Sequence, residues 1–249
     1  MISTERVHFV GLDFDNSDVD AAAEEVLANA TQPFKYVVTP NVHHIVKLQE
    51  LGDDFKSKYC TAWRVYCDSR VLSRLARACG VKLSVITGSD LTAALVQRAS
   101  ALKLKVATIG PSQSDCAKLV ARFPGLQLSS HTPPMGFINS EKEIEKCIDF
   151  VTKSDAGLIF LAVGMPQQEI LARRLMEHGG VKGVGLCIGA SIDFLTGKQV
   201  RAPLWVQQSG LEWLHRLLSQ PGRLAGRYLA ECPKIVPLVI KHVMTNGRR

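Results

Sequence analysis

Short apolar runs and helical stretches alternate along this chain. Residues 7–14 read as a strand, and the Ala- and Glu-rich segment that Ser17 can cap reads as a helix running to Ala30. Residues 34–38 form a second strand that ends at Thr39-Pro-Asn41, and helical periodicity follows from Val42 to Leu51. Residues 62–67 form a third strand stopping at Asp68, with a helix over 71–79 closed by Gly80. Ser89-Asp90 opens a helix that runs to Ala101. The strand at 104–109 is broken by Gly110-Pro-Ser112 and followed by a helix at 114–123, a short strand at 126–130 and a helix at 140–153. The apolar run 158–163 breaks at Gly164-Met-Pro-Gln-Gln-Glu169 and continues into a helix at 170–178. A last strand, 183–188, ends in Gly189-Ala-Ser191, ahead of Asp193-Phe194. This alternation predicts an α/β, Rossmann-like fold, with a mainly parallel sheet flanked by helices.

In such sheets ligands sit beyond the carboxyl ends of the strands, where the first N–H groups of the next helix lack internal partners and carry its positive dipole end. Pro166 suits a first helical position, since its missing N–H would have been unpaired there. The residues just after the strands are Thr39, Asn41, Asp68, Gly110, Ser112, Gly164, Gln167, Gln168, Glu169, Gly189, Ser191 and Asp193. They are rich in hydrogen-bonding groups and poor in metal ligands. His43 and His44 are neighbours, so on a helix they point about 100° apart, which favours surface or packing roles over ligation. No H-E-x-x-H, D-x-D or P-loop lysine is present, and neither a full G-x-G-x-x-G nor a G-x-S-x-G elbow. The chemistry left is positioning, a general base, and neutralised phosphate charge.

Charge alters the picture once it is located. From Lys198 to Arg249 there are nine Lys/Arg and two acidic residues, a surplus equal to the +7 of the whole chain, so residues 1–197 are neutral. Trp205, Trp213, Tyr228 and many leucines interleave with these cations at helical spacing. Two readings fit: a helix lying in an anionic membrane interface, and a solvated basic face on helices packed against the body. Nothing resembles a nucleic-acid recognition motif. The composition shift near Thr196-Gly197-Lys198 divides the chain into an α/β catalytic domain, 1–197, and a helical, basic, membrane-associating appendage, 198–249. Seven cysteines without a C-x-x-C pair favour reduced thiols in a cytosolic protein. The N-terminus lacks the features of a signal peptide, and no apolar run approaches the roughly 18 residues of a membrane span.

One set of motifs is more specific. Thr39-Pro-Asn41, Asp68 ahead of a helix, Thr87-Gly-Ser-Asp-Leu91 and Gly164-Met-Pro-Gln-Gln-Glu169 occur in this order, followed by Gly189-Ala-Ser-Ile-Asp-Phe-Leu-Thr-Gly197, Arg201-Ala-Pro203 and Gly210-Leu-Glu-Trp-Leu214 with Pro221 and Arg223. Together they closely resemble the WecG/TagA/CpsF glycosyltransferase family over nearly the whole chain. The resemblance implies an inverting transferase that needs neither metal nor cofactor. It would move a hexose-type sugar from a UDP-sugar to a polyprenyl-diphosphate-linked saccharide at the cytoplasmic face of the membrane, in polysaccharide assembly. Asp68 would be the base, with a helix N-cap as its alternative role. Thr39 and Asn41 would hold sugar near it, and Gln168 and Glu169 would face the donor. Gln167 would stand either at the donor or exposed in the first helical turn, and Asp193 would bind a hydroxyl. Gly110 and Gly164 would be among the substrate-binding residues, and Arg216, Arg223 and Arg227 would meet the diphosphate charge.

Two departures stand out. Relatives carry Asp-Gly where this chain has Asp68-Ser69, and an Arg ahead of Thr87-Gly88 where it has Val85 and Ile86. The second suggests an absent donor-side cation and a donor other than N-acetylmannosamine, with glucose the choice. A nucleotide-sugar epimerase and a non-catalytic membrane scaffold are the rival functions, and homo-oligomerisation stays open.

Overall fold

The computed structural model describes residues 5–246. Residues 1–4, at the N-terminus read above for a leader, and 247–249, with the last two arginines of the tail, lie outside the described residues.

The first predicted strand is two: β1 (Arg6–Phe9) and β2 (Leu12–Asp15) form an antiparallel hairpin separate from the main sheet. The chain reverses at Val10 (φ 43°) and Gly11 (φ 83°), two successive left-handed positions of the kind a tight hairpin needs. Helix α1 (Val19–Ala28) follows, capped by Asp18 rather than Ser17. The six strands of the main sheet are β3 (Lys35–Val38), β4 (Arg64–Val65), β5 (Lys105–Ile109), β6 (Gln127–His131), β7 (Leu158–Leu161) and β8 (Val184–Cys187). They pair in the order β4-β3-β8-β7-β5-β6, all parallel.

The crossovers are α2 (Val42–Cys60), α3 (Arg70–Ala78), α4 (Gly88–Leu102), α5 (Gln113–Arg122), α6 (Glu141–Ser154) and α7 (Gln167–His178), and α8 (Ser191–Leu195) follows the last strand. Helix α2 runs beyond the predicted Leu51 because a second helical stretch continues after a break at Gly52. Pro166 precedes α7 as its cap residue, after a cis Met165-Pro166 peptide, and is not the first helical residue.

Both faces of the sheet are buried, and side chains alternate between them with the period of a strand. Ile159 and Leu161 of β7 join Ile45, Leu72, Ile144 and Leu171 on one side. Leu158 and Phe160 join Ala22, Leu91, Leu119 and Ile192 on the other. The architecture is the α/β sheet that the alternation predicts.

Beyond Lys198 the chain forms α9 (Leu204–Gln208), α10 (Glu212–Ser219), α11 (Pro221–Ala225), a π-helical turn (Gly226–Glu231), a 3-10 turn (Cys232–Lys234) and α12 (Ile235–Asn246). This tail packs on the body. Ile235 and Val239 are buried in the same cluster as Val42 and Phe9. Arg74 Nη1 donates to the Ser209 carbonyl at 2.7 Å. His43 Nε2 and Glu231 Oε2 are 2.6 Å apart, and Lys234 Nζ donates to Glu50 Oε1 at 2.8 Å. The His242 ring meets Phe9 edge-on at 5.0 Å, so the far end of the tail rests on the hairpin.

Candidate active site

A cavity of about 400 Å³ opens between the N-terminal ends of α2 and α3 and the tail. The body contributes Asn41, Asp68, Arg70 and Thr87, and the tail contributes Glu212, Trp213, Arg216, Arg227 and Tyr228. Val71 and Leu75 of α3, with Ile235 and Val236 of α12, give it an apolar flank.

Asp68 follows β4 and is not the cap of α3. Ser69 takes that role, its hydroxyl accepting the Leu72 N–H at 3.1 Å. Ser69 thus leaves the neighbouring carboxylate free of the capping role. Burial pushes the Asp68 carboxyl up to about 7; Glu212 adds to the rise, while Arg216 and the Gly88 amide oppose it. A carboxyl that titrates near neutrality is matched to general-base duty.

Gly88 shows what converges here. A methyl at its α-carbon would stand 2.8 Å from Thr39 Oγ1, 3.3 Å from Ser191 Oγ and 3.7 Å from Asp68 Oδ2. Three polar side chains, arriving from the ends of β3, β8 and β4, thus meet at the start of α4. Thr87 caps that helix, its hydroxyl accepting from the Asp90 N–H at 3.0 Å.

Asn41 lines the cavity, yet its Oδ1 is occupied by the His43 and His44 N–H groups of the α2 cap and by Arg227 Nη2 at 3.2 Å. His44 Nδ1 accepts the Asn41 N–H at 3.0 Å, and burial, with Arg227 nearby, pushes its pKa down to about 3, so the ring is neutral.

Other predicted residues lie elsewhere. Gln168 and Glu169 are buried beneath the site and do not line the cavity. Glu169 Oε1 accepts from Tyr59 OH at 2.9 Å and from Gln168 Nε2 at 2.8 Å, and Gln168 Oε1 accepts from the Gly189 N–H at 2.9 Å. The pair therefore fixes the turn after β8 from behind. Gly110 serves a close approach: a Cβ there would lie 2.6 Å from the Ala162 carbonyl oxygen. Gly164 (φ 78°) turns the chain into α7, and half-buried Gln167 follows it; neither lines the cavity. Asp193 accepts from Gln199 Nε2 at 2.8 Å, with Lys198 Nζ at 3.8 Å.

Of the three tail arginines, Arg227 and Arg216 line the cavity, and Arg223 is exposed away from it. Arg216 also borders a smaller cavity of about 190 Å³ with Lys198, Gln199 and His215. Its guanidinium lies 5.7 Å from the Phe194 ring, and that of Arg201 lies 5.9 Å from the same ring. Sequence reasoning missed Arg70, Thr87 and Glu212. Thr87 and Glu212 carried a signal, since both sit inside motifs quoted for the resemblance. Arg70 carried none, for a cation in a helical turn reads as surface. Among the described residues no three His, Cys, Asp or Glu side chains are grouped to hold a metal ion.

A family model described as the glycosyl transferase WecG/TagA/CpsF family matches residues 7–249. The chain belongs to the WecG/TagA/CpsF family. That match takes in the α/β body and the tail alike, so the helical segment that closes the cavity lies within the family's extent. Among curated proteins, this WecG/TagA/CpsF chain is similar to an N-acetylglucosaminyldiphosphoundecaprenol N-acetyl-beta-D-mannosaminyltransferase of Bacillus spizizenii. The two are 30% identical over 169 residues, which is 66% of this chain and 63% of the relative.

Proposed function

We propose that the chain is an inverting, metal-independent glycosyltransferase that moves a hexose-type sugar from a UDP-sugar to a polyprenyl-diphosphate-linked saccharide in cell-surface or exopolysaccharide synthesis. The observation that carries this is Asp68: a carboxyl tuned to about 7, not used as a cap, facing a cavity into which Arg216 and Arg227 also project. In the reaction, Asp68 takes the proton of the acceptor hydroxyl as its oxygen attacks the anomeric carbon. The bond from that carbon to the diphosphate breaks, and its electron pair leaves with UDP. Permanently charged guanidinium forks then stabilise the leaving diphosphate. Thr39, beside Asp68 at Gly88, positions a sugar hydroxyl, and Ser191, its own hydroxyl donated to the Ile188 carbonyl, backs that corner.

The printed name of the Bacillus relative supports a lipid-linked acceptor and an N-acetylmannosamine-type donor. The departure at Val85-Ile86 favours a different hexose here, and glucose is the donor we assign. A lipid-linked acceptor requires contact with a bilayer surface. Among the described residues no helix is long and apolar enough to cross a membrane. Helix α12, however, exposes Val236, Ile240, Val243 and Met244 beside Lys234 and Lys241, an arrangement suited to lying on an anionic, cytoplasm-facing leaflet.

The deciding assay is UDP release from a panel of UDP-sugars with a polyprenyl-diphosphate-sugar acceptor, in chelator. Acceptor-dependent UDP release with inverted product is the expected result. Release without acceptor only, or none from any donor, sinks the proposal, and loss of turnover in chelator sinks its metal-independent form.

A further inference from the structure

Ile86, ahead of Thr87, is 1% exposed, in the core, and offers no charge to the site. A guanidinium reaches the same region. Arg70 opens α3 two residues after Asp68, and its side chain lines the main cavity together with Asp68 and Thr87. Its Nε is buried without a protein hydrogen-bond partner. Asp90 feels the charge of Arg70 but spends its own oxygens on Arg201 Nη1 at 2.5 Å and on Thr87 Oγ1 at 2.7 Å. Two further donors, Arg201 Nε and Nη2, are likewise without partners behind that carboxylate.

The placement of Arg70 is locally unfavourable. It stands in the first turn of α3, at the positive end of the dipole, in a turn that holds no acidic residue. A cation held there, with a buried donor unused, is explained by an anion that completes it. Position indicates which anion. Cys67 bridges Val85 in parallel register, so Arg70 and Thr87 both follow the carboxyl end of one strand pair, where nucleotides bind in parallel sheets. Arg227, by contrast, reaches the cavity from the tail beside Ile235 and Val236, and its Nη2 is already held by Asn41 Oδ1 at 3.2 Å.

We propose that Arg70 is the donor-side cation of this site: its guanidinium binds the diphosphate of the nucleotide-sugar, with Asp90 and Arg201 ordering the ground behind it. The assignment rests on the glycosyltransferase reading above and adds a binding residue to it.

Calorimetric titration of the full chain with UDP and with UMP, without acceptor, tests it. Arg70→Ala should weaken UDP binding about 10- to 100-fold, the worth of a charge-assisted hydrogen bond or two, and weaken UMP binding less. In turnover, the donor KM should rise by the same factor with the acceptor KM unchanged. Arg70→Lys, which keeps the charge but not the fork, should fall between the two proteins and serves as the test should the alanine variant not fold. Undiminished UDP binding in either variant, or a rise confined to the acceptor KM, overturns the assignment while leaving the reaction standing. An unsubstituted protein that binds no UDP overturns the glycosyltransferase reading itself.

Discussion

Glu212 and Arg216 stand one turn apart on α10 and act on Asp68 with opposite signs, the carboxylate raising its pKa and the guanidinium lowering it. Both belong to the tail, so the segment that covers the cavity also sets the proton affinity of the group inside it. A base must be ionised to work, so kcat/KM should rise with pH as Asp68 loses its proton near pH 7. Glu212→Gln should shift that rise to lower pH and Arg216→Gln to higher pH, besides slowing turnover. Two pH profiles with unmoved acid limbs would show that another group governs the rate.

Asp68→Asn keeps the shape and removes the base, so turnover should fall about 10²- to 10⁴-fold. The same change has a stability consequence of opposite sign. The folded carboxyl titrates at about 7 against an ordinary 3.8, so the native state holds an extra proton between those values. Native stability therefore falls as pH rises through that window, and the loss is complete above it. The asparagine protein escapes this loss and should melt a few degrees above the parent at pH 8, with the gap closing by pH 4. Equal melting temperatures at pH 8 would mean that the carboxylate is not desolvated.

Gly88→Ala tests the convergence of Thr39, Ser191 and Asp68 by filling the space between them. With the new methyl 2.8 Å from Thr39 Oγ1, that hydroxyl must move. Turnover should drop by about 10²-fold, since small misplacements at a reacting centre carry costs of that size. Unaltered kcat in a folded alanine variant would separate Thr39 from the chemistry.

Burial raises the pKa of Glu169, while its Oε1 receives hydrogen bonds from Tyr59 and Gln168 that a glutamine oxygen would also accept, and Oε2 is buried without a partner. Glu169→Gln should therefore change stability by less than about 1 kcal/mol at pH 7, whereas Glu169→Ala strands Tyr59 and Gln168 and should cost about 3 kcal/mol. Urea denaturation of both variants checks this. Equal damage from the two would show that the shared acceptor oxygen is not what holds Tyr59 and Gln168 in place.

The apolar stripe of α12 predicts salt-sensitive binding to anionic vesicles. Ile240→Asp with Val243→Asp should abolish co-sedimentation while leaving UDP binding unchanged, because neither side chain lines the cavity. Vesicle binding that survives both substitutions places the contact elsewhere.

The sheet was legible because its strands are apolar runs, buried on both faces and punctuated by Gly, Pro or Asp. The hairpin was not, because Val10-Gly11 sits within an apolar stretch and its reversal lies in backbone angles alone. Asp68 is singled out by the resemblance alone, and only the structure shows it free of the cap, because Ser69 accepts from the Leu72 N–H. Gln168 and Glu169 have the look of ligand-facing residues because they are polar and follow a strand, yet the start of α7 turns them inward to hold Gly189. The contact of Arg227 with Asn41 spans 186 positions, and no local pattern encodes a pairing of that range.

Strand β4 is only two residues long and lies at the margin of the sheet, with β3 as its one neighbour. Asp68, proposed above as the proton acceptor, therefore stands near the rim of the sheet, with Arg70 beside it. A partner molecule tethered to a bilayer need not be swallowed: it has only to dip its sugar head over the edge and withdraw, one residue longer, without leaving the surface that carries it.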